Sequence, residues 1–148
     1  ERARFLPSNN LALPRDAFLS IGGFDETFER PAGEDRDLCA RWLAAGHELV
    51  FVGDAVVHHH HELALSTFWR QHYNYGRGAY DYRRRARRDG NGGAGREPLS
   101  FYFDLVRYPF GRMPFGSASA SSCLLGLTQL ANVSGYRRRR LRSGAATD

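Results

Sequence analysis

The sequence predicts an α/β domain followed by a helical, basic extension, and three observations predict it. Short apolar runs alternate with stretches of helical periodicity through residues 1–88. A Gly-rich stretch, Asp89 to Gly95, then breaks the pattern as a flexible linker does. Beyond it the chain is rich in aromatic residues, small residues and arginine. The expected organisation is a domain over 1–88, a linker over 89–98, a helical extension over 99–142 suited to a membrane interface, and a disordered tail over 143–148.

In order along the chain, Ser8-Asn9-Asn10 reads as a loop that enters a short strand at Leu11-Ala12-Leu13. Pro14 to Leu19 reads as a short helix with proline in its first turn, where an N–H is not needed. Gly22-Gly23 stops it, and Thr27 to Gly33 is expected to be loop. Glu34 to Ala45 is predicted as a helix, because Leu38, Trp42 and Ala45 at i, i+4 and i+7 form one apolar stripe; Gly46 would cap it. Leu49-Val50-Phe51-Val52 reads as a short buried strand turned by Gly53-Asp54. Ala55-Val56-Val57 reads as a second brief apolar strand that ends at His58-His59-His60-His61. A long helix is predicted from about Ser66 to Arg88, with Gly76 and Gly78 as points of disturbance and Phe68, His72, Tyr75, Ala79 and Tyr82 on one face. No internal repeat is present.

The 148 residues fit one domain, and the formal net charge of +5 comes from arginine alone, with no lysine. That balance suits acidic partners such as phosphates, anionic lipid heads or nucleic acid; a solvated basic surface is the plain alternative. The chain opens at Glu1-Arg2-Ala3-Arg4 without methionine, which reads as a cut, and no apolar core region of a signal peptide follows. Cys39 and Cys123 lie far apart in no metal-binding spacing, as two reduced thiols of a cytoplasmic protein would.

The chemistry concentrates around Gly33-Glu34-Asp35-Arg36-Asp37-Leu38. Glu34, Asp35 and Asp37 crowd a predicted helix N-terminus, where backbone N–H groups and the helix dipole keep a carboxylate ionised. An ionised carboxylate at the lip of a pocket can take a proton from an attacking hydroxyl. The alternative is that all three merely cap the helix and pair with Arg36 or Arg41. Asp35 lies seven residues before the inward Trp42, near the inner edge, whereas Asp37 can reach Arg41 at i+4. Asp35 is therefore the better base and Asp37 the better brace. In an extended run His58 and His60 share one side and His59 and His61 the other; an imidazole there is either a metal ligand or plain exposed surface.

The ordered set Asn9 to Arg15, Gly22-Gly23-Phe24-Asp25-Glu26-Thr27-Phe28, Gly33 to Trp42, Gly46 to Leu49 and Val56 to His60 resembles the second half of the inverting family-two glycosyltransferases, over about residues 5–82. Phe68 to Gly78 is similar to the helix that follows in many members. The resemblance implies the C-terminal portion of a GT-A domain. It also implies transfer of a sugar from a nucleotide-sugar donor to a glycan or lipid-linked acceptor, with inversion. On it, Glu34 and Asp35 line the acceptor site with Asp35 as general base. Asn9, Asn10, Gly22, Gly23 and Asp25 shape its floor, and Arg41 counts among the acceptor-binding residues. His58, with His60 second, would bind a divalent cation, Mg or Mn, completed by ligands elsewhere. The family's nucleotide-binding strands and the Asp-x-Asp that follows a strand are missing from this sequence. The expectation is thus an acceptor-side half that is inactive alone. The competing reading is a non-catalytic module that grips a glycan or a cation.

The Arg clusters Arg83-Arg84-Arg85, Arg87-Arg88, Arg137 to Arg140 and Arg142 accompany aromatic segments. Stacking on nucleic acid is one reading. Binding at an anionic membrane surface is the favoured one, giving a peripheral location on the cytoplasmic face, and docking against another part of the enzyme is the plain alternative. Ser117 to Ser134 is too broken by polar residues for a span of ~20 apolar residues.

Overall fold

The structure is a computed structural model and describes residues 1–29, 32–60, 64–90 and 98–144. Two compact units divide the chain, residues 1–62 with 78–93 and residues 63–77 with 94–148.

In the first unit, strand β1 (Arg2–Ala3) pairs antiparallel with β2 (Leu49–Val50), with Arg2 opposite Val50 and Ala3 opposite Leu49. This ladder is all the sheet among the described residues, so helix outweighs strand far more than an α/β reading implies. The physical reason is a lack of strand partners. Leu11 takes extended angles, φ −130° and ψ 127°, but no second strand lies beside it. Leu11 and Leu13 instead press half-buried on the core, and a 3₁₀ turn, Ser8–Asn10, precedes them. The expected strand at Leu49 to Val52 is cut to two residues, and only Leu49 of the four is buried. Ala55 to Val57 is not a strand either: the Ala55 and Val56 amides close turns onto the carbonyls of Val52 and Asp54, and both valines are exposed.

The helices follow the sequence more closely. Helix α1 (Arg15–Ser20) begins behind Pro14 and ends in a Schellman motif. There the Gly22 N–H donates to Leu19 and the Gly23 N–H to Phe18, each at 3.0 Å, with φ of +85° and +65°. Helix α2 (Glu34–Ala44) ends the same way at Gly46, φ +84°, through Gly46 to Leu43 and His47 to Trp42. Its inner face carries Leu38, Cys39 and Trp42, all buried, while Ala45, expected on that stripe, is exposed. Phe5, Leu6, Leu11, Leu13, Ala17 and Ile21 pack around Cys39, Trp42 and Leu49. Burying one such leucine contributes about 1.5–3 kcal/mol.

Helix α3 (Leu65–Arg88) is continuous, and Gly76 and Gly78 do not disturb it. They are instead its points of closest approach. In the first unit a Cβ on Gly78 would overlap Ala32. In the second a Cβ on Gly76 would overlap the Asn132 backbone, and one on Gly135 the Tyr73 carbonyl. The fully buried positions of α3 are thus Gly76, Gly78 and Ala86, not the aromatic face read from the sequence, where Tyr75 is exposed and Phe68, His72, Ala79 and Tyr82 are half-buried.

The second unit adds α4 (Leu99–Arg107), a 3₁₀ turn (Tyr108–Gly111) and α5 (Phe115–Gly144). Helix α5 buries small residues, Ala118, Ser122, Ala131 and Gly135, so backbones approach closely. Ser122 Oγ donates to the Val106 carbonyl of α4 at 2.8 Å. The helix continues through Ser143 and Gly144, which the sequence reading placed in a disordered tail; residues 145–148 lie outside the described residues, as does most of the expected linker, 91–97.

Candidate functional site

Gly33 starts the site. It sits at the N-cap of α2 in the left-handed region, φ +96°, and offers no capping side chain. A Cβ there would come 2.8 Å from the Gly78 carbonyl, so only glycine fits between the loop and α3. The first turn of α2 then presents Glu34, Asp35 and Asp37.

The three carboxylates are in three different situations. Asp37 is buried and accepts from Arg41 Nε at 2.8 Å, the i+4 brace that the spacing predicts. Asp35 is half-buried and accepts from the neighbouring Arg36 N–H at 2.8 Å; it makes no ion pair among the described residues. Glu34 is in the third situation, with one carboxylate oxygen enclosed. Its Oε2 is buried without a hydrogen-bond partner among the described residues. Burial pushes its pKa above the usual carboxylate value, its own N–H opposes this, and the negative charge of Asp35 adds to it. A group of this kind holds its proton more readily than a surface glutamate and can then both donate and accept.

Arg41, counted among the acceptor-binding residues, has its guanidinium committed to the protein itself. Besides Asp37 it donates to the carbonyls of Ile21 and Gly23 at 2.7 Å each, which fixes the end of α1 to α2. Gly22 and Gly23 form that turn; nothing lies within 4 Å of a Cβ on Gly22, while one on Gly23 would press the Phe18 ring at 3.2 Å. Asn9 is exposed in the 3₁₀ turn, and Asn10 Nδ2 donates to the Ala55 carbonyl at 2.6 Å. This bond ties the Asn9-Asn10 turn to the segment that leads into His58. Asp25 accepts from the N–H and hydroxyl of Thr27 at 2.9 and 2.6 Å and pairs with Arg85.

The histidines expected to bind a cation lie away from regular structure. His58, His59 and His60 lie in an exposed segment without regular structure, and His61 lies outside the described residues. Among the described residues no group of three His, Cys, Asp or Glu side chains is placed to hold an ion.

Arg85 and Phe28 are structural neighbours of the site that the sequence pattern does not name. The Arg85 guanidinium lies 4.0 Å from the Phe28 ring centroid and donates to Asp25 and Thr27. It thereby holds the Gly-Gly-Phe-Asp-Glu-Thr-Phe turn against the last half of α3. One signal was available: Arg85 lies seven residues beyond Gly78, two turns along the same helix face. Cys39 is a second missed contact. Its Sγ donates to the Leu6 carbonyl at 3.4 Å, and burial pushes the thiol's pKa up.

The profile of the family described as Glycosyl transferase family group 2 matches residues 2–136. Two curated relatives share 39% identity with the chain over 61 residues. Each is named a pre-mycofactocin glycosyltransferase, one from Mycobacterium tuberculosis strain CDC 1551 / Oshkosh and the other from strain ATCC 25618 / H37Rv. The matched stretch is 41% of this chain and 13% of each relative's length. No solved structure matches the chain.

Proposed function

The chain belongs to glycosyl transferase family group 2, and from that membership we propose that it forms the acceptor side of an enzyme that moves a sugar from a nucleotide-sugar donor to an acceptor hydroxyl with inversion. Membership, together with relatives named as glycosyltransferases, supports the class of reaction. The same membership supports a GT-A domain as its setting. Asp35 takes the acceptor proton, and the acceptor oxygen bonds to the anomeric carbon from the face opposite the diphosphate. The carbon–oxygen bond to the diphosphate breaks, and its electron pair leaves on the nucleoside diphosphate. Glu34, beside Asp35 in the first turn of α2, orients the acceptor. Asn9, Asn10, Gly22, Gly23, Asp25 and Arg41 act through the shape of the surrounding turns, to which their contacts belong. A divalent cation, Mg or Mn, enters this proposal only as a group held mainly by ligands other than His58 and His60. The 148-residue chain alone is expected to be inactive, because its sequence lacks the family's nucleotide-binding strands and the Asp-x-Asp that follows a strand.

One observation carries the assignment of the base: of the two aspartates in the first turn of α2, Asp37 is locked to Arg41, whereas Asp35 makes no ion pair among the described residues. The test is Asp35→Asn in the full-length protein, assayed for transfer and for acceptor binding. Loss of a general base lowers turnover by about 10²–10⁴-fold with acceptor affinity kept. Unchanged turnover removes Asp35 from the reaction. A full-length protein that binds a glycan or a cation saturably without turnover makes the non-catalytic module the better reading.

A further inference from the structure

We propose that the corner formed by α4, the 3₁₀ turn and the start of α5 rests on an anionic lipid surface. Along α4, Leu99, Phe103 and Val106 fall at i, i+4 and i+7 and share one face. Leu99 is 84% exposed and Phe103 74%, while the other side of the helix is fastened to α5 through Ser122 and the Val106 carbonyl. The chain then turns over buried Pro109, and the apolar face continues through Phe110, Met113 and Phe115. The Phe110 and Phe115 rings touch at 5.9 Å between centroids, and Phe115 is 79% exposed. Clustered exposed apolar side chains rimmed by polar residues mark a surface that meets another molecule or a membrane.

The charge beside that face selects the occupant. Arg107 and Arg112 flank the corner, Asp104 is the one acid of α4, and five further arginines, Arg137 to Arg140 and Arg142, follow near the far end of α5. Arg107 closes α4, and the Arg112 guanidinium stacks 4.7 Å from the Tyr108 ring centroid, which keeps a cation level with an aromatic ring. Apolar rings flanked by arginine and tyrosine match the acyl boundary and the phosphate layer of an anionic bilayer, which an in-plane amphipathic segment enters by ~5–10 Å. An apolar protein partner would bring no counter-charge to Arg107 and Arg112 at the corner. Among the described residues no helix is long and apolar enough to cross a membrane.

The test is flotation of the full-length protein with phosphatidylcholine vesicles, with and without phosphatidylglycerol. The expected result is binding to the anionic vesicles, with weak binding to the neutral ones. Phe103→Ser combined with Phe115→Ser should lower that binding by about 100-fold, and Arg107→Gln with Arg112→Gln by about 10–30-fold. Unchanged thermal melting of both variants keeps the comparison valid, since all four side chains are exposed. Three outcomes overturn the proposal: no binding to anionic vesicles, binding indifferent to both variants, or loss of self-association in the Phe variant without any vesicle binding. A protein that ignores vesicles and binds single-stranded DNA instead also overturns it. None of these outcomes bears on glycosyl transfer.

Discussion

Asp37 Oδ2 and Arg41 Nε are joined at 2.8 Å one turn apart on α2, and the same guanidinium grips the carbonyls of Ile21 and Gly23. The pair is mostly buried, so it is a structural tie between α1 and α2 and not a surface ornament. Asp37→Ala should destabilise the fold by about 1–3 kcal/mol, read as a shift of the urea midpoint. Asp35→Asn should stay within about 0.5 kcal/mol of the wild type in the same measurement. A reversed order would show that Asp35, not Asp37, braces the helix.

The glycines of α3 should divide sharply from another helical glycine. Gly78→Ala drives a methyl into the Ala32 backbone, and Gly76→Ala into that of Asn132. Each should cost about 1–3 kcal/mol or more, as overpacking does. Gly126→Ala in α5 meets nothing within 4 Å and should stabilise by about 0.5–1 kcal/mol through helix propensity. Thermal melting of the three variants tests this, and equal effects would refute the close crossings.

Glu34 should leave a signature in the pH dependence of stability. Its folded pKa is raised, chiefly by burial, above the ordinary value of 4.5. The folded state then holds the proton more tightly than the unfolded chain. Its stabilising contribution is fully present below about pH 4.5 and is lost as the pH rises through the folded value. Glu34→Gln should remove that loss, so the difference in urea midpoint between wild type and variant should change across this window. A pH-independent difference would mean that the carboxyl is not desolvated.

The two thiols should react at different rates. Cys39 is 1% exposed, its pKa is raised by burial, and its Sγ is bonded to Leu6, whereas Cys123 is exposed. Ellman's reagent should label Cys123 quickly and Cys39 only on unfolding. Fast labelling of both would show that the core around Leu6 opens readily.

Arg85 is tested by replacement with lysine. Lysine keeps the charge but loses the planar fork that spans Asp25 and Thr27 and the flat face over Phe28. Arg85→Lys should lower stability by about 1–3 kcal/mol, and a melting temperature equal to wild type would show that the turn holds itself.

Helices were legible in the sequence because their signals are local. Pro14, Gly22, Gly23 and Gly46 lie where caps demand them, and the Leu38 and Trp42 stripe points inward as its period requires. Strands were not, because a strand needs a partner that no local pattern names. Leu11 to Leu13 and Ala55 to Val57 are apolar enough, yet the ladder forms only where Arg2 and Ala3 meet Leu49 and Val50. In the candidate site the Asp37–Arg41 pair followed from i+4 spacing. The raised pKa of Glu34 did not follow, because burial depends on what packs over the helix start. The Arg85 contacts join residues 60 positions apart, beyond the reach of any periodicity.

The crossings of α3 also bear on how variation in this protein is to be interpreted. Gly33 and Gly78 meet backbone to backbone beside the proposed base, and Gly76 and Gly135 reject any added carbon just as firmly. A saturation screen scored by activity would mark all four as intolerant, alongside Asp35. Only an abundance readout separates the two groups: glycine variants should be depleted from the cell, whereas Asp35 variants should accumulate as intact, silent protein.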